Sequence, residues 1–207
     1  MPKKYLEIAV TPAVAAAQKR YFGRSLRVEA ESSNRDPLGA DELGFISGLD
    51  SFYMATVSET GWPYIQHRGG PPGFLRTIDP LTLAFADYRG NRQLLSTGNV
   101  AINERVSLFL MDYPRRERLK ILGYARVTEA SPELVEQLAE PDARPSVERV
   151  FFIDVVSFDW NCPKYITPRY SAAEVQDVVM PLKKRIAELE NQLREARGDQ
   201  AMASRQF

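Results

Sequence analysis

The stretch FADYRGNRQLL, residues 85–95, carries chemistry beyond the needs of an ordinary turn. A strand-like alternation ends in Asp87 and runs into Tyr88, Arg89, Gly90, Asn91, Arg92 and Gln93. Asn91 is a plausible N-cap, with Leu94 and Leu95 turned to a core and Gly98 ending the turn. Free backbone N–H groups at a helix start, with the positive end of its dipole, attract an anion. Arg92 and Gln93 would then sit in the first helical turn, and arginine adds a bidentate, charge-assisted grip. The alternative is a solvated turn whose arginines pair with nearby carboxylates.

Two other segments concentrate polar chemistry. In YIQHRGGPP an extended chain points Tyr64, Gln66 and Arg68 one way and Ile65 and His67 the other. That polar face suits a planar ligand needing hydrogen bonds at its edge, and Gly69 and Gly70 would let backbone approach closely. His67 is the one histidine in the chain. Without a second histidine or a nearby cysteine it makes a poor metal site, so no metal is expected and His67 reads as structural or as a ligand-edge contact. The segment FDWNCPKYITPRY (158–170) brings together Trp160, Cys162, Lys164 and Arg169. Nothing local lowers the Cys162 pKa, so a small residue beside a cofactor is the better reading, with Lys164 and Arg169 as anion contacts. No paired nucleophile and base is visible, and no catalytic residue is assigned.

Small strands must position these groups. FYMATVS, the turn ETG and WPYIQHR form a hairpin signal. LRTI and LTLAFAD follow, the latter alternating Leu81, Leu83 and Phe85 against Thr82, Ala84 and Ala86. VSLFLMD (106–112) is continuously apolar, as in a strand buried on both faces. RLKILGYARVTEA alternates again, and ERVFFIDVVSFDW is a long last strand. Helices are expected over residues 11–22, capped by Thr11 and stopped by Gly23, over one turn near LGFISGLD, and over SPELVEQLAE. Many short strands with few helices argue for a small barrel.

The tail differs. PLKKRIAELENQLREAR spaces Leu182, Ile186, Leu189 and Leu193 by four, three and four, with Lys184–Glu188 and Glu190–Arg194 as helix-neighbour pairs. It reads as an amphipathic helix short of a coiled coil, packed on its own barrel or on a partner. GDQAMASRQF is expected to be disordered.

Composition excludes some classes. The 207-residue chain balances 27 basic against 27 acidic side chains, so no global field draws nucleic acid or an anionic membrane. Its single cysteine allows no intrachain disulfide. The alanine-rich N-terminus is broken by Glu7, Thr11 and Pro12 and lacks the apolar block of a signal or a span, which points to the cytoplasm.

Taken in order, these segments resemble the pyridoxamine 5'-phosphate oxidase-like family of FMN-binding split barrels, from about residue 45 to 170. FYMATVSETGWPYIQHR resembles the family's first hairpin, and LAFADYRGNRQ its flavin-lining strand and Ser-Arg-Lys phosphate loop. The resemblance implies a mainly β fold, a barrel with N-terminal and C-terminal helices. It divides the chain into an extension (1–44), the barrel (45–170), and a C-terminal helix with tail (171–207). It also implies a homodimer holding FMN at the subunit interface. Gln66, His67, Arg68 and Gly69 would frame the isoalloxazine and ribityl chain, with Ala86 and Asp87 beside them. Asn91, Arg92 and Gln93 would hold the phosphate, Gln93 standing where the family has lysine. Arg118 and Trp160 would come from the partner, with Lys164 and Arg169 at the closing segment. The authentic oxidases bind pyridoxal phosphate through an Arg-Pro-Arg-x-Ser type stretch. Here that region is AEPDARPSVE, and the chain looks closer to a subgroup marked by GWPYIQHRGG and DWNCPK. The function implied is a flavoprotein oxidoreductase on a small molecule other than vitamin B6. A non-catalytic flavin sensor or carrier, and a haem-binding or haem-processing barrel with His67 as the available axial ligand, are the alternatives.

Overall fold

Strand alternation and turn chemistry organise the chain into a seven-stranded antiparallel sheet with helices on its flanks. The computed structural model describes residues 3–28, 35–160 and 164–203. In chain order the elements are α1 (Lys3–Ala9), α2 (Pro12–Phe22), α3 (Ala40–Ser47), β1 (Ser51–Val57), β2 (Pro63–Gly69), β3 (Arg76–Asp79) and β4 (Thr82–Tyr88). They continue with α4 (Leu95–Ile102), β5 (Arg105–Asp112), β6 (Glu117–Glu129), α5 (Pro132–Leu138), a 3-10 turn (Pro141–Ser146), β7 (Val147–Trp160) and α6 (Ala172–Ala203). The strand order is β2-β1-β5-β6-β7-β4-β3. The chain divides into two units, Met1–Ile166 and Thr167–Phe207. That division falls just ahead of residue 170, and the N-terminal helices belong to the first unit.

Register explains the core. Phe52, Met54 and Thr56 of β1 stand opposite Arg68, Gln66 and Tyr64 of β2, so the polar face of β2 shares the side of the sheet that buries Phe52 and Met54. The same side carries Leu108 and Leu110 of β5, Leu119 and Ile121 of β6, Phe151 and Ile153 of β7, and Leu83 and Phe85 of β4. The sheet curls so that its edge strand β2 meets β4: Phe52 packs edge-on to Phe85, and the Arg68 guanidinium lies 5.4 Å from the Phe85 ring and 4.9 Å from that of Phe151. This is the split barrel, a mainly β fold with flanking helices.

The burial of two strands reverses the sequence expectation. β4 is the strand covered on both faces, because α5 seals its outer side through Leu138 and Ala139 against Ala84, Ala86 and Val150. β5 buries Val106, Leu108 and Leu110, while Ser107, Phe109 and Met111 on its other face are half-buried. A continuous apolar run cannot say which of its faces a helix covers.

Local caps match their residue types. The Thr11 Oγ1 accepts from the Val14 N–H at 3.3 Å, and Gly23 ends α2 in the left-handed region at φ 74°. Gly98 does not end α4. It lies inside the helix, which begins at Leu95 and runs to Ile102. In the second unit, α6 runs from Ala172 to Ala203, through residues expected to be disordered, and carries Pro181 within it. On its surface Arg185 pairs with Glu188 at 3.2 Å.

Candidate functional site

Where β2 and β4 meet, the loop that follows β4 folds over the barrel's open end. A cavity of about 220 Å³ lies between them. Its walls are Tyr64, Gln66 and Arg68 from β2, Asp87 and Tyr88 from β4, the loop residues from Gly90 to Leu94, the start of α4, and Arg149 from β7.

Asp87 anchors the floor. Its carboxylate accepts from Arg68 at 2.5 Å and from Arg149 at 2.9 Å, with only 9% of its side chain exposed. Its acid group is therefore committed to two arginines. Burial lowers the Arg68 pKa, and the charge and hydrogen bond of Asp87 oppose that shift. The Arg68 Nε is buried without an acceptor. Gln66 accepts from the Ser96 hydroxyl at 2.7 Å, so its amide N–H₂ is the part left for a ligand's edge. Asn99 of α4 donates to Thr56 of β1 at 2.9 Å and fixes the helix to the barrel.

The phosphate-type loop is built differently from a simple helix start. The Asn91 side chain accepts from the Gln93 N–H at 3.1 Å, a local turn rather than a helix cap. Arg92 and Leu94 adopt left-handed backbone at φ 60° and 55°. For residues with a side chain that conformation costs about 1–2 kcal/mol each, and such strain gathers at functional sites. Arg92 and Gln93 thus precede α4 instead of opening it. Arg92 and Arg89 both reach Glu148, at 3.4 and 3.3 Å, and Arg149 reaches the same carboxylate at 3.1 Å. Desolvation raises the Glu148 pKa, but hydrogen bonds from Arg149 and Arg89 and the charge of Arg92 outweigh it, and the net shift is downward. Both readings of the arginines are thereby present: Arg92 lines the cavity, and Arg89 and Arg92 both pair with a carboxylate.

Gln66, Arg68, Asp87, Asn91, Arg92 and Gln93 come together around this cavity. Other candidates do not. His67 is exposed on the opposite face of β2, its ring 5.5 Å from Tyr53. The Ala86 side chain faces α5, away from Asp87. Gly69 ends β2, and Gly70 is small because a Cβ there would stand 2.7 Å from the Phe74 side chain. That glycine serves packing in the loop before β3. Arg118 lies on the sheet's other face over Phe109, at 5.1 Å, with its Nε buried and unpartnered. Trp160 donates its indole N–H to Glu42 at 2.6 Å and packs edge-on to Phe45, lining a separate hollow with Ala40, Arg115 and Glu117. Glu42 also accepts from the Gly39 N–H at 2.9 Å, so one carboxylate both caps α3 and fixes Trp160. Lys164 is exposed beside Tyr165, 5.2 Å from its ring. Arg169 belongs to the second unit, and Cys162 lies outside the described residues.

Arg149, Glu148 and Ser96 are site residues that the sequence reading did not single out. For Arg149 a signal existed: it shares the alternation of Phe151 and Ile153, so it is a cation at the end of a core-facing row. Among the described residues, no group of three or more His, Cys, Asp or Glu side chains could hold a metal, and no helix is long and apolar enough to cross a membrane.

Several solved structures are similar to parts of this chain. The HupZ protein of Group A Streptococcus is similar to this chain at 16% identity and a TM-score of 0.48, covering 64% of this chain and 100% of its own. General stress protein 26 of Bacillus anthracis is similar at 14% identity and a TM-score of 0.45, over 56% of this chain and 88% of its own. An FMN-binding protein of Syntrophomonas wolfei is similar at 12% identity and a TM-score of 0.41, over 58% and 83%. No curated protein matches the sequence. The pyridoxamine 5'-phosphate oxidase profile matches residues 42–155, which hold every strand from β1 to β6, most of β7, and all the residues lining the cavity. More than half of the chain carries that pattern, and the protein belongs to the pyridoxamine 5'-phosphate oxidase family.

Proposed function

We propose that this chain binds FMN in the cavity between β2, β4 and the 88–97 loop, and that it works as a cytoplasmic homodimeric oxidoreductase on a small molecule. The observation that carries the reading is the convergence of Arg68, Arg92, Arg149 and the Gln66 amide on one cavity, supported on two left-handed residues. The donor set fits an anionic, hydrogen-bonding group, and the unpartnered Arg68 Nε has the same preference. Arg92, with Asn91 and Gln93, holds the phosphate; Arg89 and Arg149, now shared with Glu148, add charge to it. Gln66 offers amide donors to the ring edge, while Asp87 keeps Arg68 and Arg149 in place. The flavin supplies hydride or electron transfer, and the protein supplies orientation and electrostatics.

A cavity of about 220 Å³ is smaller than the roughly 300–1,000 Å³ usual for a small-molecule site. One chain therefore provides only part of a flavin's surroundings, and a second copy supplies the rest. Arg118, Trp160 and Lys164, none of which lines this chain's cavity, are the residues that second copy contributes.

Vitamin B6 oxidation is not the activity we propose. The one arginine between α5 and β7, Arg144, donates to the Ala139 and Glu136 carbonyls at 3.3 Å each and so braces its own turn. That leaves no spare cation there for a substrate phosphate. A haem reading is weakened because His67 stands on the far side of β2 from the cavity.

The test is a titration of FMN against riboflavin, followed by flavin absorbance. The wild type is expected to prefer FMN. Arg92→Ala is expected to lose one to two decades of FMN affinity, as for a charge-assisted contact of about 1.5–3 kcal/mol, without a matching loss for riboflavin. Equal losses for both would remove the phosphate from this site, and absence of flavin binding by the wild type would remove the function.

A further inference from the structure

The second unit carries a surface that the flavin reading does not use. Helix formation extends back to Ala172, well before the segment whose spacing is legible in sequence, so Val175 and Val179 join the apolar row. The row is then Val175, Val179, Leu182, Ile186, Leu189 and Leu193, alternating steps of four and three. That is a heptad repeat with Val179, Ile186 and Leu193 at one seam position (a) and Val175, Leu182 and Leu189 at the other (d). The large members of the row are solvent-exposed in the single chain: Leu182 is 58% exposed, Ile186 55%, Leu189 47% and Leu193 51%. Val178 and Met180 are exposed apolar residues outside this row, but from Leu182 to Leu193 the large apolar residues keep to the two seam positions, the narrow stripe of a coiled coil and not the broader face of a helix covering a globular core.

We propose that α6 pairs, in parallel and in register, with α6 of a second copy of this chain. The residues choose the occupant. β-Branched Val179 and Ile186 at one seam position with Leu182 and Leu189 at the other favour two parallel strands over larger bundles. One pair of positions flanking the seam is complementary as well. Arg185 precedes Glu190 by five residues, the spacing at which a flanking residue of one helix meets its counterpart on the other. In the single chain Arg185 instead reaches Glu188 through an exposed contact at 3.2 Å, which is weak enough to exchange. Pro181 falls on the outer side of the pair, away from the seam, where its missing N–H affects one helical hydrogen bond and not the packing. This pairing stands independently of the flavin site, since none of its residues lines the cavity.

Cysteine cross-linking in the full chain tests it, with Cys162→Ser removing the one native thiol. Leu182→Cys and Leu193→Cys are made separately, with Lys184→Cys on the outer face as control. In a parallel, registered pair each seam cysteine meets its own copy within disulfide reach. Mild oxidation should therefore give mostly covalent dimer from both seam variants and little from Lys184→Cys. Arg185→Glu should lower the seam yield several-fold, and Arg185→Glu with Glu190→Arg should restore it. Equal yields at all three positions, or no dimer at either seam position, would overturn the proposal. Dimer formed only when the Leu182→Cys and Leu193→Cys chains are mixed would show an antiparallel pair and overturn it too. The cross-link reads the helix alone, so its failure is distinguishable from a failure of FMN binding.

Discussion

Asp87 is the residue on which the site's electrostatics turn. Two guanidinium groups, from strands distant in sequence, share its carboxylate, and one of them lies over the rings of Phe85 and Phe151. Removing one partner of a buried pair leaves charge without compensation, which costs about 3–5 kcal/mol. Asp87→Ala is therefore expected to lower stability by roughly 3 kcal/mol in urea unfolding, near the lower end because Arg149 keeps Glu148 as a partner. A loss under about 1 kcal/mol would mean the arginines are solvated well enough without it. Glu148 makes a pH-dependent contribution. Its pKa is depressed in the folded chain, so its stabilisation is present above the ordinary glutamate value of about 4.3 and disappears as pH falls through the lower folded value. Wild type should be more stable than Glu148→Gln at pH 7, and the gap in unfolding midpoints should close below about pH 4. A constant gap would assign the effect to shape and not to charge.

Helix α4 and the loop before β3 test how the elements are held. Gly98 sits inside α4 with nothing within 4 Å of an added Cβ. Gly98→Ala should stabilise the protein by about 0.5–1 kcal/mol, through helix propensity and a less flexible unfolded chain. Gly70→Ala should do the reverse, because its Cβ would meet the Phe74 side chain at 2.7 Å. Overpacking of that kind costs about 1–3 kcal/mol. Thermal unfolding of the two variants reads both signs. A loss of stability in Gly98→Ala would mean that helix propensity does not govern this position of α4.

At the scale of the molecule, the open face of the barrel matters most. Tyr53 and Ile65 are exposed on the sheet, with Phe109 and Met111 beside them half-buried, and among the described residues of the first unit no helix buries the outer side of β1, β2 and β5 as α5 buries that of β4. Apolar sheet surface of this kind favours association with a second copy. Light scattering of the purified protein is expected to give twice the 23.4 kDa chain mass. A monomer that still binds FMN tightly would remove the shared-site part of the proposed function while leaving the cavity intact.

Local physics is written in the sequence by itself. Period-two alternation, the ETG turn, the Thr11 cap and the Gly23 stop place the hairpin, the later strands and α2, because each depends on residues a few positions apart. The same alternation put Gln66 and Arg68 on one side of β2 and His67 on the other. What only the tertiary structure decided depends on partners far along the chain. Arg149 meets Asp87 across 62 residues because β7 pairs with β4, and Glu148 arrives beside Arg89 and Arg92 by the same pairing. The cover on β4, and its absence from β5, follow from where α5 docks, which no run of apolar residues records. The late start of α4 comes from Leu94 held in left-handed backbone between a strand and an anchored helix. The Asn91 side chain meanwhile accepts from the Gln93 N–H in a local turn, so its capping capacity is used before the helix begins.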